Sequence, residues 1–318
     1  MKAYVPIIKA FVARIKPYLF GVIVLLMVWG VWKISEQFME SLRTANYLYL
    51  GAGALIAIIY LVLNGSVWGL ICRIVGGHPP RIGSALLWIE CESMRWLPGG
   101  IWGYASRVVE AKRIGISKAN GGITLAIELV LTICSWGLLA LVGVLCSPRL
   151  RDVAQIYLER LSITPAVIIT LAVLGLLFVT LLLYLNPRNI RVRIITISTD
   201  ARKSFLQKWP IFARALVEYF LLNFCYSIGF YFCVLAIHVD PMPSVMETAG
   251  AYGLAWIIGF CAIGAPGGMG VRAGFLYLAF EPLGIGTPVA IAAIIWRALQ
   301  IIIELILLVI IKVGRLAP

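Results

Sequence analysis

Acidic side chains are scarce in this chain and histidine is nearly absent. Its 318 residues include 14 Asp plus Glu and two His, His78 and His238, which lie far apart and lack zinc-ligand spacing. The seven cysteines (Cys72, Cys91, Cys134, Cys146, Cys225, Cys233 and Cys261) form no CxxC pair. A redox dithiol and a zinc knuckle are therefore not indicated. Most of these cysteines sit in apolar runs and read as buried free thiols. A phosphate-binding P-loop and a Ser–His–Asp pattern are missing as well. Asp152, Asp200 and Asp240 are scattered over different loops, so no acidic cluster suggests a metal-dependent transferase.

Charge of any kind is thin. Charged residues make up 13% of the chain, against about 25% in an ordinary soluble domain. Hydrophobic residues take the vacated share, at 62% where about 45–50% is usual. A soluble globule of this size cannot hide that much apolar surface. Disorder, collagen-like repeats and a disulfide scaffold are excluded by the same figures. The chain reads as an all-α polytopic integral membrane protein, with residues 1–318 forming one transmembrane domain.

A hydrocarbon core of about 30 Å needs roughly 20 apolar helical residues. Candidate spans lie near residues 18–32, 47–71, 123–145, 163–185, 215–237 and 288–311. No small-residue cleavage site follows the first run, so it is not read as a cleaved signal peptide. Two more regions, 82–113 and 244–283, are apolar but interrupted by glycine, proline and charge. The arm 82–96 has 15 residues, about 22 Å of helix at 1.5 Å per residue. That is too short to cross, so a re-entrant hairpin is expected.

Placing the N-terminus in the cytoplasm and returning both interrupted regions to their side of entry puts 19 of the 27 Lys and Arg inside. Such an excess is the positive-inside pattern. It accounts for the net charge of +13 without nucleic acid, for which no reading module is present. The expected location is the cell inner membrane, multi-pass, with both termini cytoplasmic and a basic cytoplasmic loop at 186–214.

The two interrupted regions resemble each other. The first reads Leu97-Pro98-Gly99-Gly100-Ile101-Trp102-Gly103, then Arg107. The second reads Ala265-Pro266-Gly267-Gly268-Met269-Gly270, then Arg272. Gly115 and Glu128 in the first half correspond to Gly284 and Arg297 in the second, both at an offset of 169 residues. We read a diverged duplication with halves at about 46–146 and 212–313, inverted about the membrane plane. Proline denies a helix one N–H, and glycine permits positive φ and close backbone approach. Backbone broken at membrane depth survives only inside protein or beside a wet cavity. The freed N–H groups favour an anion, for which a lipid phosphate is the obvious source.

Arg95, Arg272 and Arg297 are placed at membrane depth and Glu128 about six residues inside its helix, where ionisable groups usually face a partner or a cavity; Arg107, which follows the first break, is counted on the cytoplasmic side. Glu92 and Arg95 share a helical face at i, i+3. Glu128 meets either Arg297 across the pseudo-two-fold axis or a local partner, Arg95 or Arg107. Glu304 shares the helical face of Arg297. Glu218 pairs with Arg214 at i, i+4. Tyr219, Asn223 and Tyr226 form a polar-aromatic stripe, explained by a headgroup path or by interhelical hydrogen bonds. Glu247 and Glu281 read as solvated, and the ten Trp mostly as interfacial belts. Trp96 and Trp102 flank the first break.

The run from Arg95 to Arg107, the helix carrying Glu128, the motif Pro266-Gly267-Gly268-Met269-Gly270-Val271-Arg272 and the Arg297 helix together resemble the membrane domain of lysylphosphatidylglycerol synthase/flippase proteins. The resemblance covers nearly the whole chain. Two positions depart from the pattern: Ala273 stands where Glu is typical, and Leu129 where Arg is frequent. What the resemblance implies is a flippase-like domain moving an anionic or modified lipid between leaflets. The aminoacyltransferase activity belongs to a separate soluble domain that does not follow the last helix here, so enzymatic transfer is not expected.

The expected substrate-path or lipid-binding residues are Arg95, Pro98, Gly99, Gly100, Arg107, Glu128, Pro266, Gly267, Gly268, Gly270, Arg272 and Arg297. No cofactor and no metal is expected. Expected partners are membrane phospholipids or polyprenyl-linked lipids, such as a lipid-linked saccharide, with a lipid-synthesis enzyme and a homo-oligomer left open. The alternatives to lipid translocation are a membrane scaffold for a lipid-synthesis partner and an intramembrane headgroup transferase.

Overall fold

The computed structural model describes residues 35–96, 102–160, 190–262, 268 and 270–314. Ten α-helices lie among them: α1 (Ser35–Arg43), α2 (Tyr47–Cys72), α3 (Arg81–Glu92), α4 (Trp102–Glu110), α5 (Lys118–Cys146), α6 (Pro148–Arg160), α7 (Ile190–Ala236), α8 (Val245–Cys261), α9 (Val271–Phe280) and α10 (Gly286–Gly314). No strand occurs among the described residues. Four segments are long and apolar enough to cross a bilayer: Tyr47–Val75, Lys118–Cys146, Lys208–Ala236 and Gly286–Gly314. They match four of the six expected spans. The spans expected at 18–32 and 163–185 lie outside the described residues.

Local signals explain where these helices begin. Asn46 caps α2 by accepting from the Leu48 N–H. Ser117 caps α5 by accepting from the Asn120 N–H at 3.3 Å. Ser244 and Glu247 form a reciprocal capping box at the start of α8, which satisfies two otherwise orphaned backbone donors.

Polar contacts sort the ends of the bundle. The Asn46 N–H donates to the Ala236 carbonyl at 2.8 Å, so α2 and α7 run antiparallel and share that end. At the opposite end Lys208 Nζ donates to the Ile74 carbonyl at 2.6 Å, and Asn120 Nδ2 to the Val75 carbonyl at 3.3 Å. Helix α5 therefore starts beside Val75 and runs toward the Asn46 end. Helix α8 starts there, because Ser147 Oγ donates to Glu247 Oε1 at 3.0 Å.

Both interrupted regions return to the end from which they enter. The start of α3 abuts the segment that follows α4, where Gly83 faces the Ile114 side chain, at the Val75 end. Helix α8 enters from the Asn46 end, and both α8 and α9 pack against α6, which lies there. The two hairpins thus enter from opposite ends of the bundle. In each, a helix, a short helix, a 3-10 turn and a left-handed glycine (Gly115, φ +79°; Gly284, φ +75°) precede, in that order, a 29-residue helix.

Small residues let the helices approach closely. A Cβ on Gly143 of α5 would run into the backbone of Gly250 of α8, and one on Gly65 of α2 would lie 2.6 Å from Ala85 Cα of α3. Without a hydrophobic drive between helices in lipid, such backbone contact is a main source of packing energy.

Four expectations are corrected. Residues 190–214, expected as part of a loop, are helical and continuous with the span in α7, because no breaker other than Pro210 interrupts them. Glu247, expected to be solvated, is buried with its carboxylate spent on the α8 cap and on Ser147; Glu281 is exposed as expected. Among the described tryptophans, Trp68, Trp88, Trp136 and Trp296 are core residues rather than belt residues, whereas Trp102 and Trp209 are exposed. All seven cysteines are free, but only Cys72, Cys91 and Cys233 are buried. In a lipid-solvated protein an apolar run still has an outward face, and the other four occupy it.

Candidate functional site

The first hairpin brings three helices to one buried ion cluster. Arg107, in the last turn of α4, is 2% exposed. Its Nη1 donates to both oxygens of Glu128 on α5, at 2.7 and 2.8 Å. Its Nη2 lies 3.8 Å from Glu92 Oε2 on α3. Trp88 Nε1 donates a further bond to Glu128 Oε1 at 3.2 Å. The rings of Trp68, Trp88 and Tyr104 surround the guanidinium, with centroids 5.7, 5.3 and 5.6 Å from its carbon, within cation–π range.

This cluster settles the partner of Glu128: it is the local Arg107, not Arg297. The α4 helix is short and packs against α5, which brings Arg107 within reach of Glu128. Glu128 and Arg297 do not pair. The hairpin is tied a second time near its mouth, where Arg113 Nη1 meets Glu90 Oε2 at 2.9 Å.

One geometric detail matters for chemistry. A guanidinium facing a carboxylate usually offers two parallel N–H groups. Here one nitrogen serves both oxygens, and Arg107 Nη2 and Nε make no hydrogen bond among the described residues. The indole N–H of Trp68 and the hydroxyl of Tyr219 are likewise buried and find no hydrogen-bond partner among the described residues. Buried polar atoms of this kind call for ordered water or a polar ligand.

The second half holds its cations differently. Arg272 is buried on α9, with its guanidinium carbon 5.3 Å from the Trp256 ring. Its stem lies across Gly259, where a Cβ would come 2.5 Å from Arg272 Cγ, and beside Gly268. Gly268 has φ +69° and Gly270 φ +78°, the left-handed backbone that turns the chain into α9. Arg297 of α10 donates from Nη1 to Gln300 Oε1 at 2.8 Å and lies 3.5 Å from the Tyr226 hydroxyl. Glu304, one face below, is 1% exposed. Tyr226 also packs within a ring cluster of Tyr60, Trp136, Tyr252 and Trp296.

Of the polar-aromatic stripe of α7, Asn223 makes an interhelical bond and Tyr226 meets Arg297. Asn223 Nδ2 donates to Ser135 Oγ of α5 at 2.6 Å, an interhelical bond inside the bundle. The pair Arg214–Glu218 forms on the surface, at 2.7 Å. Pro98, Gly99, Gly100, Pro266 and Gly267 lie outside the described residues, as do the side chains of Arg95 and Trp96.

Sequence reasoning missed Trp88 and Trp68 as walls of the cluster and Arg113 as the partner of Glu90. Trp88 lies four residues before Glu92, on the same helical face, which was a usable signal. Nothing local marked Trp68, which arrives from another helix.

Spanning helices, two hairpins entering from opposite ends and a buried charge cluster beside one of them define a polytopic α-helical membrane protein with a polar interior. The chain belongs to the family described as lysylphosphatidylglycerol synthase TM region, whose model matches residues 15–307. Comparison with curated proteins returns no match.

Proposed function

We propose that the protein handles a lipid with an anionic headgroup, either a phospholipid or a lipid-linked saccharide, and passes it between leaflets through the polar interior of the bundle. The observation that carries this reading is the half-used guanidinium of Arg107. It is anchored by Glu128 through one nitrogen, while Nη2, 3.8 Å from Glu92, and Nε are buried and make no hydrogen bond among the described residues, beside Trp68 and Tyr219. A buried ion pair made only for folding gains by satisfying every donor. Donors held open in a lipid-solvated protein suit a transient polar guest.

The oppositely directed hairpins support the same reading. Helices broken within the membrane and arranged in inverted halves are an architecture of transporters, in which irregular backbone lines the substrate site. We read the matched order of elements as a duplication whose halves, 46–146 and 212–313, rock against each other. In this reading the lysine- and arginine-rich end near Val75 faces the cytoplasm, following the positive-inside pattern. The family's name supports lipid as the class of substrate. Among the described residues no group of three His, Cys, Asp or Glu is arranged to hold a metal ion, so the metal-dependent headgroup transferase gains no observation.

The test is leaflet exchange in proteoliposomes. Fluorescent phosphatidylglycerol and a fluorescent polyprenyl phosphate are quenched from outside by dithionite. Exchange of either lipid above protein-free liposomes supports the reading. Neither lipid exchanging, alongside an active control scramblase, contradicts it.

A further inference from the structure

A second lipid-shaped feature lies on the surface, apart from the Arg107 cluster. A cavity of about 340 Å³ opens between α2, the start of α3 and α7, within the roughly 300–1,000 Å³ of small-molecule sites. Its walls include Leu63, Val67, Leu70 and Leu221, and its rim carries Arg73 and Arg81. Leu63 and Leu221 are 46% and 54% exposed, so the groove is open along one side to the bilayer.

Charge and length both specify an occupant. Arg214, also on the rim, is engaged by Glu218 at 2.7 Å. Arg73 and Arg81 make no side-chain hydrogen bond or ion pair among the described residues, so the rim presents two uncommitted cations. From Arg73 back to Leu63 is ten residues of helix, about 15 Å at 1.5 Å per residue. That is half of a hydrocarbon core of about 30 Å, the depth of one leaflet. Cations at the surface and an apolar trough one leaflet deep match a phospholipid standing in its normal orientation.

We propose that this groove binds a phospholipid with an anionic phosphate headgroup, the phosphate on Arg73 and Arg81 and one acyl chain along Leu63, Val67 and Leu221. Its place suggests an entrance. Val67 and Gly69 of the groove flank Trp68, whose ring faces Arg107 on the inner side. Glu218 of the groove precedes Tyr219, which is buried inside. One helix wall separates the groove from the central cluster. The role as an entrance rests on the lipid-handling reading; the binding itself does not.

The test uses the purified full chain in phosphatidylcholine nanodiscs containing spin-labelled phosphatidylglycerol or spin-labelled phosphatidylcholine. The protein-immobilised fraction is read by electron paramagnetic resonance. The wild type is expected to prefer phosphatidylglycerol by roughly tenfold, in keeping with two surface arginines acting on one anionic lipid. R73Q/R81Q is expected to lose that preference, with each single substitution losing part of it. S66W, which fills the trough and keeps both charges, is expected to lower immobilisation of both lipids. R149Q/R151Q, exposed and remote from the groove, is expected to change nothing, and millimolar glycerol 3-phosphate is expected not to displace the lipid.

Unchanged preference in R73Q/R81Q overturns the proposal. So does an equal loss in R149Q/R151Q, which marks general surface charge, or full displacement by glycerol 3-phosphate, which marks a soluble-phosphate site. Leaflet exchange measured on the same samples separates the two readings. Exchange with an arginine-independent lipid preference overturns the groove alone. Arginine-dependent binding without exchange overturns translocation alone.

Discussion

Arg107 and Glu128 meet through a single guanidinium nitrogen that lies 2.7 and 2.8 Å from the two carboxylate oxygens. Both residues are nearly inaccessible. Removing Glu128 leaves Arg107 with only the longer 3.8 Å contact to Glu92, and removing Arg107 leaves two buried carboxylates without their cation, at a cost of up to about 3–5 kcal/mol. Glu128→Ala and Arg107→Ala are each expected to lower the thermal midpoint in detergent sharply and to reduce the amount of folded protein. The double substitution R107M/E128M replaces the pair by apolar bulk and is expected to recover part of that stability, because buried Glu92 loses its 3.8 Å contact with Arg107. Fluorescence-detected size-exclusion after a heat step reads all three. A double variant no more stable than the singles would count against the pair as an isolated unit.

Two glycines on α5 face opposite circumstances. A Cβ on Gly122 meets nothing within 4 Å, whereas one on Gly143 strikes the backbone of Gly250. Gly122→Ala is expected to stabilise by about 0.5–1 kcal/mol through helix propensity. Gly143→Ala is expected to destabilise by about 1–3 kcal/mol through overpacking of the α5–α8 crossing. Thermal unfolding of the two variants side by side checks the sign. If both stabilise, the close approach of α5 and α8 is wrong.

Gly268 and Gly284 share a left-handed backbone, at φ +69° and +75°. A side chain costs about 1–2 kcal/mol at either. At Gly268 a Cβ also lies 2.8 Å from the Gly259 carbonyl oxygen and 3.0 Å from Arg272 Nε, while at Gly284 the space is open. Gly268→Ala is expected to lose clearly more stability than Gly284→Ala. Equal losses would remove the role assigned to Gly268 in seating Arg272.

Thiol chemistry reads the packing directly. Cys134, Cys146, Cys225 and Cys261 are exposed, and Cys72, Cys91 and Cys233 are buried. N-ethylmaleimide in detergent is expected to add four adducts to the folded protein and seven after unfolding in dodecyl sulfate, counted by intact mass. Labelling of Cys72 or Cys233 in the folded state would contradict the arrangement of α2 and α7.

The hydrocarbon runs around residues 47–71, 123–145, 215–237 and 288–311 were legible because a bilayer demands length and apolarity of each segment alone. The hairpins were legible as well, since Pro-Gly-Gly and a following Arg are local signals. What the sequence held back was pairing across helices. Glu128 had three candidate arginines, and only the packing of a nine-residue α4 against α5 selects Arg107. Trp68 and Tyr104 were invisible as walls because an aromatic side chain serves a membrane interface or a core equally well. Glu247 misled for a related reason. Its position near the mouth of the second hairpin suggested solvation, but it is the third residue of a helix, where its carboxylate caps the Ser244 N–H and accepts from Ser147.

The most direct test of the polar pathway is leaflet exchange of fluorescent phosphatidylglycerol by wild type and by R107M/E128M, each first shown to be folded and equally reconstituted. The account predicts measurable exchange by the wild type and a loss of at least tenfold in the double variant, because the half-open guanidinium is gone while the bundle remains. Exchange at the wild-type rate in R107M/E128M would contradict it, and would reduce the Arg107–Glu128 pair to a fastening between α4 and α5.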